Sequence, residues 1–145
     1  MKEYIKSLDE NLKYIKHEEK KEAIYIYCET KTKKIKHPTK NIETKSIKHR
    51  YDRIIDDLPF ANKKIKLVLK VKVFNFRKLP NKENLMVETL AFLSEKYQRS
   101  KRTKRLEKYI LDIANNGSSI STEKTLNRLG VKISDTTLNR MIKKK

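Results

Sequence analysis

At 145 residues the chain has room for one or two small domains, and 37 Lys and Arg against 18 Asp and Glu leave it a formal charge of +19. A hydrophobic content of 37% excludes one large core, and the single cysteine, Cys28, excludes a disulfide framework or a multi-cysteine metal cage. No apolar run reaches membrane-spanning length and the opening MKEYIKSLDE has no signal-peptide core, so a soluble protein of a reducing compartment with a polyanionic partner is expected.

Residues 1–10 can form a short helix, with Ile5 and Leu8 at helical spacing. Two runs follow, Leu12-Lys13-Tyr14-Ile15 and Ala23-Ile24-Tyr25-Ile26-Tyr27, parted by a charged turn over 17–22. The second is rich in β-branched and aromatic residues and reads as a strand. Residues 30–46 are polar and read as an exposed loop. Residues 47–58 resume an extended pattern, and Leu58-Pro59-Phe60-Ala61-Asn62 reads as a turn. The clearest strand comes next. Ile65, Leu67, Leu69, Val71 and Val73 alternate mostly with lysines, so one face meets a core and the other offers a lysine ladder to solvent or phosphate. Between 63 and 82 there are eight basic residues and no acid. Residues 78–81 read as another turn and 85–90 as a last strand.

Beyond Ala91 the periodicity is helical. Ser100 is the expected N-cap of a helix to about Asn115, with Leu106, Tyr109, Ile110 and Ile113 on one face. A second helix is expected over 119–129, ended by Gly130, and a third after the N-cap Ser134, reaching Lys143. Val131 and Ile133 plug the intervening turn, as in a helix-turn-helix that leaves its last helix exposed. Leu138, Met141 and Ile142 would face the other helices. The opposite side would carry Thr136, Thr137, Asn139, Arg140 and Lys143 toward DNA bases and phosphates. Ser134 and the cluster Lys101, Arg102, Lys104 and Arg105 complete the expected DNA-binding set, and cations crowded at a helix N-terminus favour a bound phosphate. The fold class expected is α+β: a β-rich module over 1–90, then a three-helix helix-turn-helix module over 91–145.

The order of His49-Arg50-Tyr51-Asp52-Arg53, Asp57-Leu58-Pro59, the strand 64–74, Met86-Val87-Glu88, Arg102-Thr103-Lys104-Arg105-Leu106 and the tail 128–140 resembles the N-terminal region of ISL-three-type bacterial insertion-sequence transposases, over residues 20–145. The resemblance implies a zinc-ribbon-like β module followed by a helix-turn-helix, both recognising terminal inverted repeats of the element. It implies a bacterial cytoplasmic, nucleoid-associated protein with double-stranded DNA as its partner. The family's ribbon holds zinc on two cysteine pairs. Those positions fall here at about His37 and Lys40 and at about Asn75 and Pro80, which cannot supply the thiolates, so the ribbon is expected without zinc and the chain without a cofactor. His37 and His49 then read as surface or turn residues. The family's catalytic domain, three carboxylates holding two metal ions, would begin where the chain stops at Lys145. Asp52, Asp56 and Asp57 match positions outside that domain and read as turn or strand-end residues. The expectation is therefore a DNA-binding fragment or remnant of a transposase, not an enzyme, with no membrane or small-molecule partner. A stand-alone transcriptional regulator is the alternative, a homodimer through residues 1–22 its one candidate assembly. A basic RNA-binding module stacking bases on Tyr25, Tyr27 and Phe76 ranks last.

Overall fold

A computed structural model describes residues 1–79, 84–94, 98–115 and 124–127. Its elements are α1 (Lys2–Leu8), β1 (Leu12–Glu19), β2 (Ala23–Thr30), β3 (Ile35–Lys36), β4 (Glu43–Thr44), β5 (Ile47–Phe60), β6 (Lys63–Asn75), β7 (Leu85–Val87) and α2 (Lys104–Ala114). The lysine-alternating segment is β6, and it organises everything else. On one side β2 pairs with it in parallel, on the other β5 pairs antiparallel, and β1 closes the β2 edge. Past the end of β2, β7 takes up the same flank of β6, with Val73 opposite Val87.

Alternation decides which face is filled. Ile65, Leu67, Leu69, Val71 and Val73 all point one way and are buried. Register sets Ile24, Ile26 and Cys28 of β2 and Ile55 of β5 beside them. Helix α1 has only seven residues, too few to stand alone, and is held by Ile5 sunk into that core. Leu90, Phe92 and Leu93, at the junction expected between two modules, are buried in the same core.

Strands β5 and β6, of 14 and 13 residues, form one long hairpin. Its turn is narrower than the sequence implies. Only Ala61 and Asn62 lie outside the strands, with φ of 52° and 63°, as a two-residue turn between twisted strands demands. Pro59 sits inside β5, where the register slips between Asp57 and Phe60. The outer side of β5 carries a single parallel bridge, Asp56 to Arg102. The Asp56 amide donates to the Lys101 carbonyl at 2.8 Å and the Thr103 amide to the Asp56 carbonyl at 3.0 Å.

The expected α+β architecture, a zinc-ribbon-like module followed by a three-helix helix-turn-helix module, does not hold. Strand makes up 46% of the described residues. Helix among them is confined to α1, α2 and the short stretch 124–127. The cause is the length of the β5–β6 hairpin and the parallel partnership of β2 with β6, which build a broad mixed sheet in place of short ribbon hairpins. Helix α2 packs against the end of β5, with Leu106, Ile110, Ala114 and Leu126 forming a small core beside Leu58. Its N-cap is Thr103, whose Oγ1 accepts from the Leu106 amide at 3.3 Å, and not Ser100. The expected third helix with its N-cap Ser134, and the turn at Gly130, lie outside the described residues.

The stretch expected as loop between β2 and β5 contains the β3–β4 ribbon. His37 anchors it and is buried, a departure from the surface role read in the sequence. Its Nδ1 accepts from the amides of Thr39 at 3.3 Å and Lys40 at 3.1 Å, while its ring meets Phe76 edge-on, centroids 5.3 Å apart.

Candidate nucleic-acid interface

The cationic cluster at the start of α2 divides by what each side chain already holds. Arg105 is committed. Its Nε and Nη2 grip the two carboxylate oxygens of Asp57 at 2.9 and 2.6 Å, Nη1 donates to Ser7 Oγ at 3.0 Å, and the guanidinium lies over the Tyr4 ring. Asp57 is fully buried and takes a third hydrogen bond from Thr103 Oγ1 at 2.7 Å. Burial opposes the Arg105 charge, but the hydrogen bonds and field of Asp57 outweigh it and hold its pKa above the ordinary value. Burial, then the Asp57 charge, pushes the Tyr4 phenol well above its usual range, and its hydroxyl donates to the Leu58 carbonyl at 2.6 Å. Asp57 is thus the tie that fixes α1 and α2 to β5. Lys101 and Lys104 remain exposed, and Arg102 is half-buried.

The lysine ladder of β6 is also largely spent. Lys66 pairs with Asp56 at 2.7 Å, and Lys72 is buried, its Nζ donating to Thr30 Oγ1 at 2.9 Å. Thr30 in turn bonds Glu88, whose other carboxylate oxygen accepts from the Lys72 amide. Lys63 reaches across β2 to Glu19 at 2.8 Å and holds that exposed carboxyl below its usual range. Lys70 is exposed but has Glu29 and Asp52 opposite it on the neighbouring strands.

A groove that the sequence does not announce lies between α1 and β1. It measures about 530 Å³ and is lined by Lys2, Lys6, Lys13 and Lys31, with Glu10 its one acid and Ile5, Leu12 and Tyr14 its floor. Lys2 and Lys6 share a helix face at i, i+4 spacing, which like charges disfavour in isolation. Lys13 comes from β1 and Lys31 from the residue after β2. Four lysines from three segments thus line one groove, and no ion pair engages them among the described residues.

The second face of the sheet is open. The register sets Lys16, Tyr27, Val68 and Ile54 in one row across four strands, with Glu18, Tyr25, Lys66 and Asp56 in the next. Ile54 is 57% exposed, and Tyr25, Tyr27 and Val68 are half-buried. Lys16 Nζ lies 4.7 Å above the Tyr27 ring and Lys20 Nζ 4.9 Å above that of Tyr25. Of the three aromatics read as stacking platforms, Phe76 is excluded, being 1% exposed.

Of the expected DNA-contacting residues, Ser134, Thr136, Thr137, Asn139, Arg140 and Lys143 lie outside the described residues. The residues at the family's zinc positions do not fit the metal. His37 Nδ1 is already shared by two amides, and neither Lys40 nor Asn75 is a thiolate. Among the described residues no three His, Cys, Asp or Glu side chains converge as a metal site would require, and no helix is long and apolar enough to cross a membrane. Burial, helped by the charges of Asp57 and Glu29, pushes the Cys28 thiol up to about 12, which leaves it a protonated core residue at neutral pH.

No protein-family profile, no curated protein and no solved structure matches the chain.

Proposed function

We propose that this chain is a non-enzymatic nucleic-acid-binding protein that grips the phosphate backbone. The observation that carries the reading is the α1–β1 groove, which Lys2, Lys6, Lys13 and Lys31 line with a single carboxylate among them. Such a concentration of like charge is unfavourable until anions enter, and a chain of net charge +19 supplies the long-range attraction that brings a polyanion there. Lys101 and Lys104, exposed at the start of α2, add further accessible cations. Duplex DNA bearing the inverted repeats of an insertion element is the target that the transposase resemblance implies, and is the first probe. The helix-turn-helix that was to read its bases forms no part of this proposal.

The test is fluorescence anisotropy with a labelled inverted-repeat duplex and a scrambled duplex of equal length. The protein is expected to bind both at low salt. Replacing Lys2, Lys6, Lys13 and Lys31 with Gln should weaken binding by about tenfold or more. Wild-type protein that ignores both duplexes, or a groove variant that binds undiminished, would overturn the reading. A preference for the inverted repeat would carry the transposase-end version of it, and equal affinity would remove that version.

A further inference from the structure

We infer that the open face of the sheet is a second binding site, for single-stranded RNA, with Tyr25 and Tyr27 as base-stacking platforms and Lys13, Lys16 and Lys20 as phosphate contacts along one side. This rests on the nucleic-acid reading above for its electrostatics, but apart from Lys13, which borders both sites, it uses different residues and a different kind of ligand.

The period of a strand places Tyr25 and Tyr27 on the same face of β2, about 7 Å apart. Both are half-buried, so their rings are held by neighbours and little order is lost when a base settles on them. Their outer faces are accessible, because a lysine ammonium already sits over each, at 4.7 and 4.9 Å from the ring centres. Those lysines are exposed and anchored on β1 or just beyond it, so a base sliding onto the ring displaces the ammonium to a phosphate one position along. Val68 and the exposed Ile54 continue the row and offer apolar area to a further base. Stacking of this kind needs an unpaired base, since a duplex hides its base faces.

The acids on the same face select between the two kinds of single strand. Glu18 stands opposite Tyr25, and Glu29 follows Tyr27 on the same side of β2. Glu18 is paired with Lys16 Nζ at 3.6 Å, and a DNA backbone offers neither carboxylate a hydrogen-bond donor. Toward RNA each can accept the hydrogen bond that a ribose 2′-hydroxyl donates, which turns an unfavourable group into a discriminating one. Lys13 stands on this face opposite Glu29 and also lines the α1–β1 groove, so it is the residue that the two sites share.

The chain has no tryptophan, so Tyr27→Trp introduces a single reporter. That variant is titrated with a uridine oligonucleotide, a thymidine oligonucleotide of equal length and a DNA duplex. Expected are quenching by the uridine oligomer with several-fold weaker binding of the thymidine one, and no quenching by duplex. Tyr25→Ala with Tyr27→Ala should weaken uridine binding by about tenfold or more while duplex binding stays within about twofold, and the Tyr→Phe pair should restore it. Undiminished uridine binding by the alanine pair, thymidine bound as well as uridine, or a wild-type dimer in sedimentation that Tyr27→Ala dissolves would overturn the inference. In those cases the groove reading survives if duplex binding still depends on Lys2, Lys6, Lys13 and Lys31. Failure of every probe to bind sinks both.

Discussion

Asp57 is the residue on which the described structure turns. It is buried, yet it bears a charge satisfied by a bidentate arginine and a threonine hydroxyl from a segment more than 40 positions away. A buried pair adds little over a well-packed apolar substitute, but removing one member strands the other. Arg105→Met should therefore destabilise by about 3–5 kcal/mol, whereas Asp57→Leu combined with Arg105→Met should recover much of that loss. Urea denaturation of the two variants checks this, and equal losses would show that the charge itself is what stabilises. Alkaline pH probes the same neighbourhood. The Cys28 thiol and Tyr4 phenol are both raised in the fold, so each favours folding fully below its unfolded pKa and withdraws that contribution as pH climbs toward the folded value. For Cys28 the window runs from about 9 to about 12. The melting temperature should hold steady up to pH of about 9 and decline above it, and a thiol reagent should meet Cys28 at neutral pH only after denaturant is added.

At the scale of elements, the β5–β6 hairpin closes on a residue ill-suited to its turn. Ala61 holds φ at 52°, where its Cβ crowds the backbone at a cost of about 1 kcal/mol, while Asn62 at 63° tolerates that region. The double substitution Ala61→Asn with Asn62→Gly gives the turn the dipeptide best suited to positive φ at both positions. It should raise stability by about 1 kcal/mol without altering the sheet. A lower melting temperature for that variant would mean that the turn is set by Pro59 and the register slip beside it. What the sequence made legible follows the same logic of locality. The β6 alternation and the α2 stripe of Leu106 and Ile110 repeat within one element, so periodicity alone discloses them. The β3–β4 ribbon escapes such a reading because it hangs on a ring nitrogen serving two backbone amides, not on a pattern of apolar residues. Asp57 reads as a turn residue until the partner 48 positions onward is in view. By period alone the face of Leu106, Tyr109, Ile110 and Ile113 belongs to a bundle of helices, whereas it packs beside Leu58 at the end of β5, a partner that periodicity cannot name.

For the molecule as a whole, the question is whether its charge acts as a diffuse field or through a built site. The groove was invisible in sequence because Lys2 and Lys6, Lys13, and Lys31 come from three separated segments, and one count of +19 hides how they gather. Salt titration separates the alternatives. If each groove lysine neutralises one phosphate, the slope of log affinity against log salt should become shallower by about 3 to 4 when all four are changed to Gln. Lys33, Lys36, Lys40 and Lys45 are exposed on the β2–β5 connection and supply the control, four charges removed outside the groove. A diffuse field has no reason to distinguish the two quadruple variants, which carry the same net charge. A built site loses its slope in the first and keeps it in the second. Equal slopes in both, measured on one DNA duplex between about 50 and about 200 mM salt, would reduce the groove to four lysines among 29.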